Sequence, residues 1–310
     1  MNKFLPFALA LFALAAIAFA STTRDEGYTP QERTVVTGEG QPYYPAVKIP
    51  DNLTFAGEPV PLNDFEVRER LDRELLVNSY WHSQTLQNLK LANRWFPVFD
   101  EILAKNGIPE DFKYLAVAES NLRNVVSPAR ATGVWQIMKG TGLEYGLKIN
   151  GEIDERYNPE KATEAACQYL LKAHDKFGDD WTLAAASYNM GMPGLDKTLN
   201  AQKVDSYYDL YLNSETSRYV FRILAFKLIY ENHERYGFIL DEEDKYAPLD
   251  YYVVDVISSI PDLASWAKEQ GTTYKMLRVL NPWLRSTRLT VSPGQTFSIA
   301  LPSAEAQKGE

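Results

Sequence analysis

From Phe65 onward apolar residues recur at intervals of three and four, a spacing that predicts a succession of amphipathic helices. The first spans 65–78. A second runs from Ser83 to about Lys105, closed by Asn106-Gly107, and its stripe of Leu86, Leu89, Leu91, Trp95, Phe96 and Phe99 reads as core. Another opens at Ile108-Pro109, with proline at the first helical position and Glu110 and Asp111 in the first turn. Its inward face is Phe112, Leu115, Ala116 and then Glu119, so a carboxylate occupies a position where the pattern calls for an apolar side chain. Asn158-Pro159-Glu160 starts a helix that reaches Phe177 before Gly178. The next helix follows Asp179-Asp180, carries Trp181, Ala184, Ala185 and Tyr188 on one face, and is closed by Ser187 to Gly191. A last long helix runs from Glu215 to about Tyr236, with Gly237 as its stop and His233 and Arg235 suited to the C-terminal dipole. The body is therefore all-α.

Both ends depart from this pattern. Residues 1–20 combine Lys3, an apolar run from Phe4 to Phe19 and small residues at Ala18 and Ala20, the make-up of a cleaved secretory signal. The run is shorter than the ~20 residues of a membrane span, and no Cys follows it to carry a lipid. Residues 21–63, rich in Thr, Gly and Pro, read as a linker with little structure of its own. Near the C-terminus, Tyr251 to Val256 reads as a strand, Asp262 to Gln270 and Thr273 to Leu280 as short helices, and Thr296 to Ala300 as a returning strand, giving a βααβ order.

Composition narrows the function. A net charge of −9, with no basic cluster interleaved with aromatics, argues against nucleic acid as a partner. One cysteine excludes an internal disulfide, and His82, His174 and His233 lie far apart, so no metal and no cofactor are expected. Cys167 sits within a helical pattern and reads as a small buried thiol. Glu119 is then the residue with the clearest chemical potential. A carboxyl on an inward face loses hydration, which disfavours its charged form and raises its pKa, the condition of a general acid. Alternatively it lies at a frayed helix end, tilted toward solvent.

Four separated motifs, Ala118-Glu119-Ser120, Gly133-Val134-Trp135-Gln136, Ser187-Tyr188-Asn189 with Gly191, and Glu215-Thr216 with Tyr219-Val220, occur in the order and approximate spacing of the lytic murein transglycosylases. The chain is most similar to their membrane-bound D type, whose catalytic domain resembles goose-type lysozyme. The resemblance implies a mainly α protein, with a lysozyme-like all-helical catalytic domain over 64–240 followed by a small module at 249–303 that looks like LysM. That module departs from the LysM pattern in having Ile257-Ser258-Ser259-Ile260-Pro261 where a Gly-Asp-Thr turn is usual. It is either a weak glycan anchor or a degenerate module that only packs on the catalytic domain.

By resemblance, Glu119 protonates the β-1,4 bond between N-acetylmuramic acid and N-acetylglucosamine and then takes the proton of the muramoyl 6-hydroxyl, leaving a 1,6-anhydro end. Ser120 and Tyr188 are expected to hydrogen-bond Glu119 or the acetamido group, and Gln136 to contact the glycan's N-acetyl group. Glu215 with Tyr219 completes the far wall, and Asn189 bonds the sugar or caps its helix end. Each has a structural alternative, and the Trp135 ring either stacks on a sugar or lies in the core. Asp154 and Glu155, the acids weighed for a hydrolytic, goose-lysozyme-like alternative, read as an exposed loop. A non-catalytic wall-binding scaffold is the third reading. Expected partners are peptidoglycan glycan strands, with envelope or membrane association left open, and the protein is expected as a monomer in the periplasm or cell envelope.

Overall fold

The computed structural model describes residues 46–303 and the backbone of β1 (Val35–Val36) and β2 (Pro42–Tyr43), which form a two-stranded antiparallel pair. The chain divides after Pro45. The signal segment expected at 1–20 lies outside the described residues, as does most of 21–45. Among the described residues no helix is long and apolar enough to cross a membrane.

The stretch 46–63 corrects the linker expectation. Thr54–Phe55 (β3) and Glu58–Pro59 (β4) pair as a tight hairpin whose two turn residues, Ala56 and Gly57, both have positive φ, the geometry whose twist suits a two-residue hairpin turn. Leu53, Phe55, Val60 and Leu62 are buried in the main core, and the Phe55 ring packs 5.2 Å from that of Phe112. Polar locks complete the docking: Asp111 Oδ2 accepts from the Ala56 amide at 2.7 Å and from Lys227 Nζ at 2.6 Å. Polar composition conceals this segment because its four apolar anchors are separated by turn residues and show no sustained period.

The helical body follows the predicted spacing closely. It comprises α1 (Phe65–Tyr80), α2 (His82–Lys105), α3 (Lys113–Ser120), α4 (Lys139–Glu144), α5 (Pro159–Lys176), α6 (Trp181–Met190), α7 (Met192–Gln202) and α8 (Thr216–Glu231). Predicted caps form as expected: Asn158 accepts from the Lys161 amide and Asp180 from the Leu183 amide. Differences lie at the ends. Glu110–Phe112 is a 3₁₀ turn ahead of α3, and the last helix stops at Glu231, with His233–Tyr236 forming a separate 3₁₀ turn before Gly237. Helix α4 has too few apolar residues in period to be read from the chain alone, and in α7 the turn-forming Gly191, Pro193 and Gly194 mask the stripe of Met192, Leu195 and Leu199.

Helix α8 is the axis of the body. It is buried nearly all round, with Val220, Ile223, Leu224, Ala225 and Ile229 fully covered, and it packs against α1, α3 and α6. Cys167 is buried in α5, where desolvation pushes its thiol up to about 12, as suits a structural cysteine.

The C-terminal module has the predicted βααβ order: β5 (Tyr251–Val256), α9 (Leu263–Glu269), α10 (Tyr274–Leu280) and β6 (Phe297–Pro302), with β5 and β6 antiparallel from Tyr251↔Pro302 to Val256↔Phe297. Its own small core centres on Leu263, Leu277, Leu284, Ile299 and Leu301. Buried Asn281 ties α10 to β6, donating to the Ala300 carbonyl at 2.7 Å and accepting from its amide at 2.8 Å. The module is stitched to the body through residues 152–154. Ile153 bridges Leu284, the Asp154 amide donates to the Trp283 carbonyl at 2.9 Å, and Glu152 accepts from Arg288 Nε and the Thr290 amide, both at 2.7 Å.

Candidate active site

Helix α3 delivers Glu119 in its last turn and then ends abruptly. Asn121 adopts the left-handed conformation at the C-cap, where its amide donates to the Val117 carbonyl and its side chain accepts from buried Asn88 at 2.8 Å. The helix end is therefore pinned rather than frayed. Phe112, Leu115 and Ala116 are fully buried, and the face they define carries the half-buried Glu119 inward, as the spacing predicts.

Around that carboxyl compensation is incomplete. Desolvation is the main influence and pushes the Glu119 pKa from 4.5 up to about 7. A hydrogen bond from the Tyr219 hydroxyl to Oε1 and the positive charge of Arg222 oppose this, while the negative charge of Glu215 adds to it. The negative end of the α3 dipole acts in the same upward direction. A proton on this carboxyl is thus available near neutrality.

The remaining predicted residues divide by what they touch. Tyr219, buried on α8, is the direct partner of Glu119, a closer role than the wall expected of it. Glu215 is exposed at the N-terminus of α8, within electrostatic reach of Glu119. Ser120 does not hydrogen-bond Glu119. Its Oγ lies 2.7 Å from the Val134 carbonyl and 3.2 Å from that of Ala116. Nor does Tyr188, whose hydroxyl donates to the Trp135 carbonyl at 2.8 Å; burial and the charge of Glu119 raise its pKa well above the usual phenol range. Gln136 braces its own loop, with Nε2 donating to Gly133 O at 2.7 Å and Val125 O at 3.0 Å. Its Oε1 and the side-chain carboxamide of Asn189 have no hydrogen-bond partner among the described residues, and both residues are half-buried.

Three of these side chains therefore grip one loop. Ser120 holds Val134, Tyr188 holds Trp135, and Gln136, at φ +48°, holds Gly133. Trp135 settles in the core, fully buried, with Nε1 donating to Thr163 at 2.8 Å and its ring 5.5 Å from that of Phe99. Gly133 is required by both conformation and space. Its φ is +87°, and a Cβ there would meet the Arg156 carbonyl oxygen at 1.9 Å.

The segment read as a solvated loop, Asp154-Glu155-Arg156, is buried instead. Asp154 binds the Arg156 guanidinium at two points, 3.0 and 2.8 Å, and that guanidinium donates to the Arg130 and Ile137 carbonyls, each at 3.1 Å. Glu155 accepts from the Lys148 amide at 2.7 Å and pairs with Lys161. Charge alone does not reveal that each of these acids meets a cation a few residues away inside the fold. Sequence reasoning also passed over Arg222 and Glu74, which belong to no local motif. Among the described residues no group of three or more His, Cys, Asp or Glu side chains gathers as a cation site requires.

Residues 97–210 match the transglycosylase SLT domain family, and residues 252–305 match the soluble lytic transglycosylase C-terminal LysM-like domain family. The first match encloses Glu119, Gln136, Tyr188 and Asn189 and ends before Glu215 and Tyr219. The membrane-bound lytic murein transglycosylase D of Escherichia coli (strain K12) is 30% identical over 241 residues, covering 76% of this chain and 52% of its own length. The soluble lytic murein transglycosylase of the same strain is 25% identical over 175 residues, 49% of this chain and 27% of that one. The crystal structure of the 70 kDa soluble lytic transglycosylase from Escherichia coli aligns at a TM-score of 0.42 and 23% identity, over 54% of this chain and 29% of that one. The chain spans about half the length, or less, of the curated relatives it matches.

Proposed function

We propose, from the premise that this chain carries a transglycosylase SLT domain followed by a LysM-like C-terminal domain, that it is a peptidoglycan lytic transglycosylase of the cell envelope. The bond cleaved is the β-1,4 linkage between N-acetylmuramic acid and N-acetylglucosamine, and the product is a 1,6-anhydro-N-acetylmuramic end. The observation that carries this reading is a single carboxyl, Glu119, pushed up to about 7 by desolvation and in contact with the Tyr219 hydroxyl.

Cleavage of a glycosidic bond needs a proton on the leaving oxygen and relief for a cationic sugar. Protonated Glu119 supplies the first as the C–O bond breaks. The carboxylate left behind is stabilised by Tyr219 and Arg222 and then takes the proton of the muramoyl 6-hydroxyl as that oxygen closes on the anomeric carbon. The proton count returns to its starting point, and no water enters. A pKa near the working pH suits a group that must donate and accept in one turnover.

Supporting roles follow from position. The Gln136 Oε1 and the Asn189 side-chain carboxamide, both unpartnered among the described residues, are the groups we assign to the glycan's acetamido N–H and hydroxyls. Tyr188 and Ser120 act through the loop they hold. For a hydrolytic reading a second acid must position water, and Asp154 and Glu155 are committed to buried ion pairs. Glu215 is the acid within electrostatic reach of Glu119, and product analysis tests whether it recruits water. Digestion of purified sacculi is expected to give anhydro ends by mass spectrometry with the natural protein and none with Glu119→Gln. Reducing ends in the first digest would assign a hydrolase, and cleavage undiminished in the variant would remove Glu119 from the chemistry.

A further inference from the structure

Between α1 and α8 one carboxylate faces three guanidinium groups. Glu74 on α1 is 1% exposed, yet it meets Arg73 Nη1 at 2.7 Å, Arg218 Nε at 2.6 Å and Arg222 Nε at 3.6 Å. Its Oε2 is buried and lacks a hydrogen bond, so contact with Arg222 is electrostatic. Arg222 stands one helical turn beyond Tyr219 on α8, and Tyr219 donates to Glu119. It therefore acts on two carboxyls, Glu74 by close approach and Glu119 through its charge.

The charges around both are few. Facing Glu119 are Tyr219, Arg222 and Glu215 from α8 and Tyr188 from α6. Facing Glu74 are Arg73 from its own helix, Arg218 and Arg222 from α8, and Tyr207 from the 3₁₀ turn before α8. A cation close to a carboxyl commonly lowers its pKa by about one to three units. Arg222, held only by Glu119, would drain the proton that an acid must keep.

We propose that Glu74 is a positioning residue for Glu119: by drawing Arg222 toward α1 it balances that charge and leaves the Glu119 carboxyl protonated until a sugar arrives. The proposal rests on Glu119 serving as the proton donor. Beyond the ties of Glu74 to Arg73 and Arg218, it gives Arg222 a second duty, since the same cation steadies the Glu119 carboxylate once the proton has left.

The test is a carboxyl-carbon NMR titration of Glu119, assigned by the signal lost in Glu119→Gln, in the natural chain, in Glu74→Gln and in Arg222→Met. Glu74→Gln is expected to move the Glu119 midpoint down by about one unit, and Arg222→Met to move it up. The alkaline limb of any cleavage profile should shift in the same two directions. Opposite signs separate this role from a merely structural one, which would lower the rate at every pH without moving the midpoint. An unchanged or raised midpoint in Glu74→Gln overturns the proposal. Should that variant fail to fold, Arg222→Met still tests the premise that Arg222 acts on Glu119, and an unchanged or lowered midpoint there overturns the proposal equally. The titration needs no substrate, so failure to cleave peptidoglycan would count against the transglycosylase reading and leave the role of Glu74 to be decided by the midpoints.

Discussion

Replacing Glu119 by Gln should stabilise the protein, and by an amount that depends on pH. In the folded state the carboxyl titrates at about 7, against 4.5 ordinarily. The unfolded chain therefore releases this proton first as pH rises. Between those two values the native state binds more protons, and stability falls as pH increases. Below 4.5 both states are protonated and the group contributes no pH dependence. Above about 7 both are ionised, and burial of the charge costs the fold the full difference, about 3 kcal/mol at roughly 1.4 kcal/mol per pKa unit. Gln carries no charge in either state and removes this cost. Any loss of the Tyr219 hydrogen bond is a constant offset and does not alter the slope. Urea unfolding of both proteins at pH 4, 6 and 8 gives the comparison. The stability of Glu119→Gln relative to the natural protein is expected to grow from pH 4 to pH 8 by about 3 kcal/mol. Parallel stability curves would refute the reasoning, because they would mean that Glu119 titrates alike in the folded and unfolded chains.

Tyr219→Phe removes the donor that favours the Glu119 carboxylate. A hydrogen bond to a charged group contributes about 1.5–3 kcal/mol, so the alkaline limb of cleavage should move up by about one unit or more while the maximal rate falls; a limb that stays in place would show the contact to be energetically idle. Arg156→Met strands buried Asp154 and frees the Arg130 and Ile137 carbonyls. It should cost about 3–5 kcal/mol in urea unfolding, whereas a solvated ion pair would cost under about 1 kcal/mol. Gly133→Ala, at φ +87° and against the Arg156 carbonyl, should lose at least about 2 kcal/mol by the same measurement. Glu58→Ala deprives the start of α6 of an acceptor for the Trp181 and Thr182 amides, at 2.5 and 2.9 Å, and should lower stability by about 1–2 kcal/mol; no change would show this cap to be energetically idle.

Much of the body was legible in the chain because helices advertise themselves locally. Asn158 and Asp180 cap through their own side chains, Gly237 takes the left-handed conformation at a terminus, and the apolar period of α3 aims Glu119 inward. The βααβ order at the C-terminus was readable for the same reason, strand and helix periods being properties of consecutive residues.

What the fold alone decided are relations between distant residues. Local pattern cannot tell that Tyr219 rather than Tyr188 or Ser120 reaches Glu119, since that depends on how α8 crosses α3, a packing outcome involving side chains 100 positions apart. It cannot tell that Glu58 caps a helix 123 residues later, or that Asp154, Glu155 and Arg156 go inside. A charged side chain has the same local signature in water and in a buried pair, and only the partner brought to it by folding determines whether its desolvation is compensated. Glu119 and Glu155 illustrate the difference. One is left largely uncompensated and keeps its proton near neutrality, while the other is bound to Lys161 and the Lys148 amide and serves the framework.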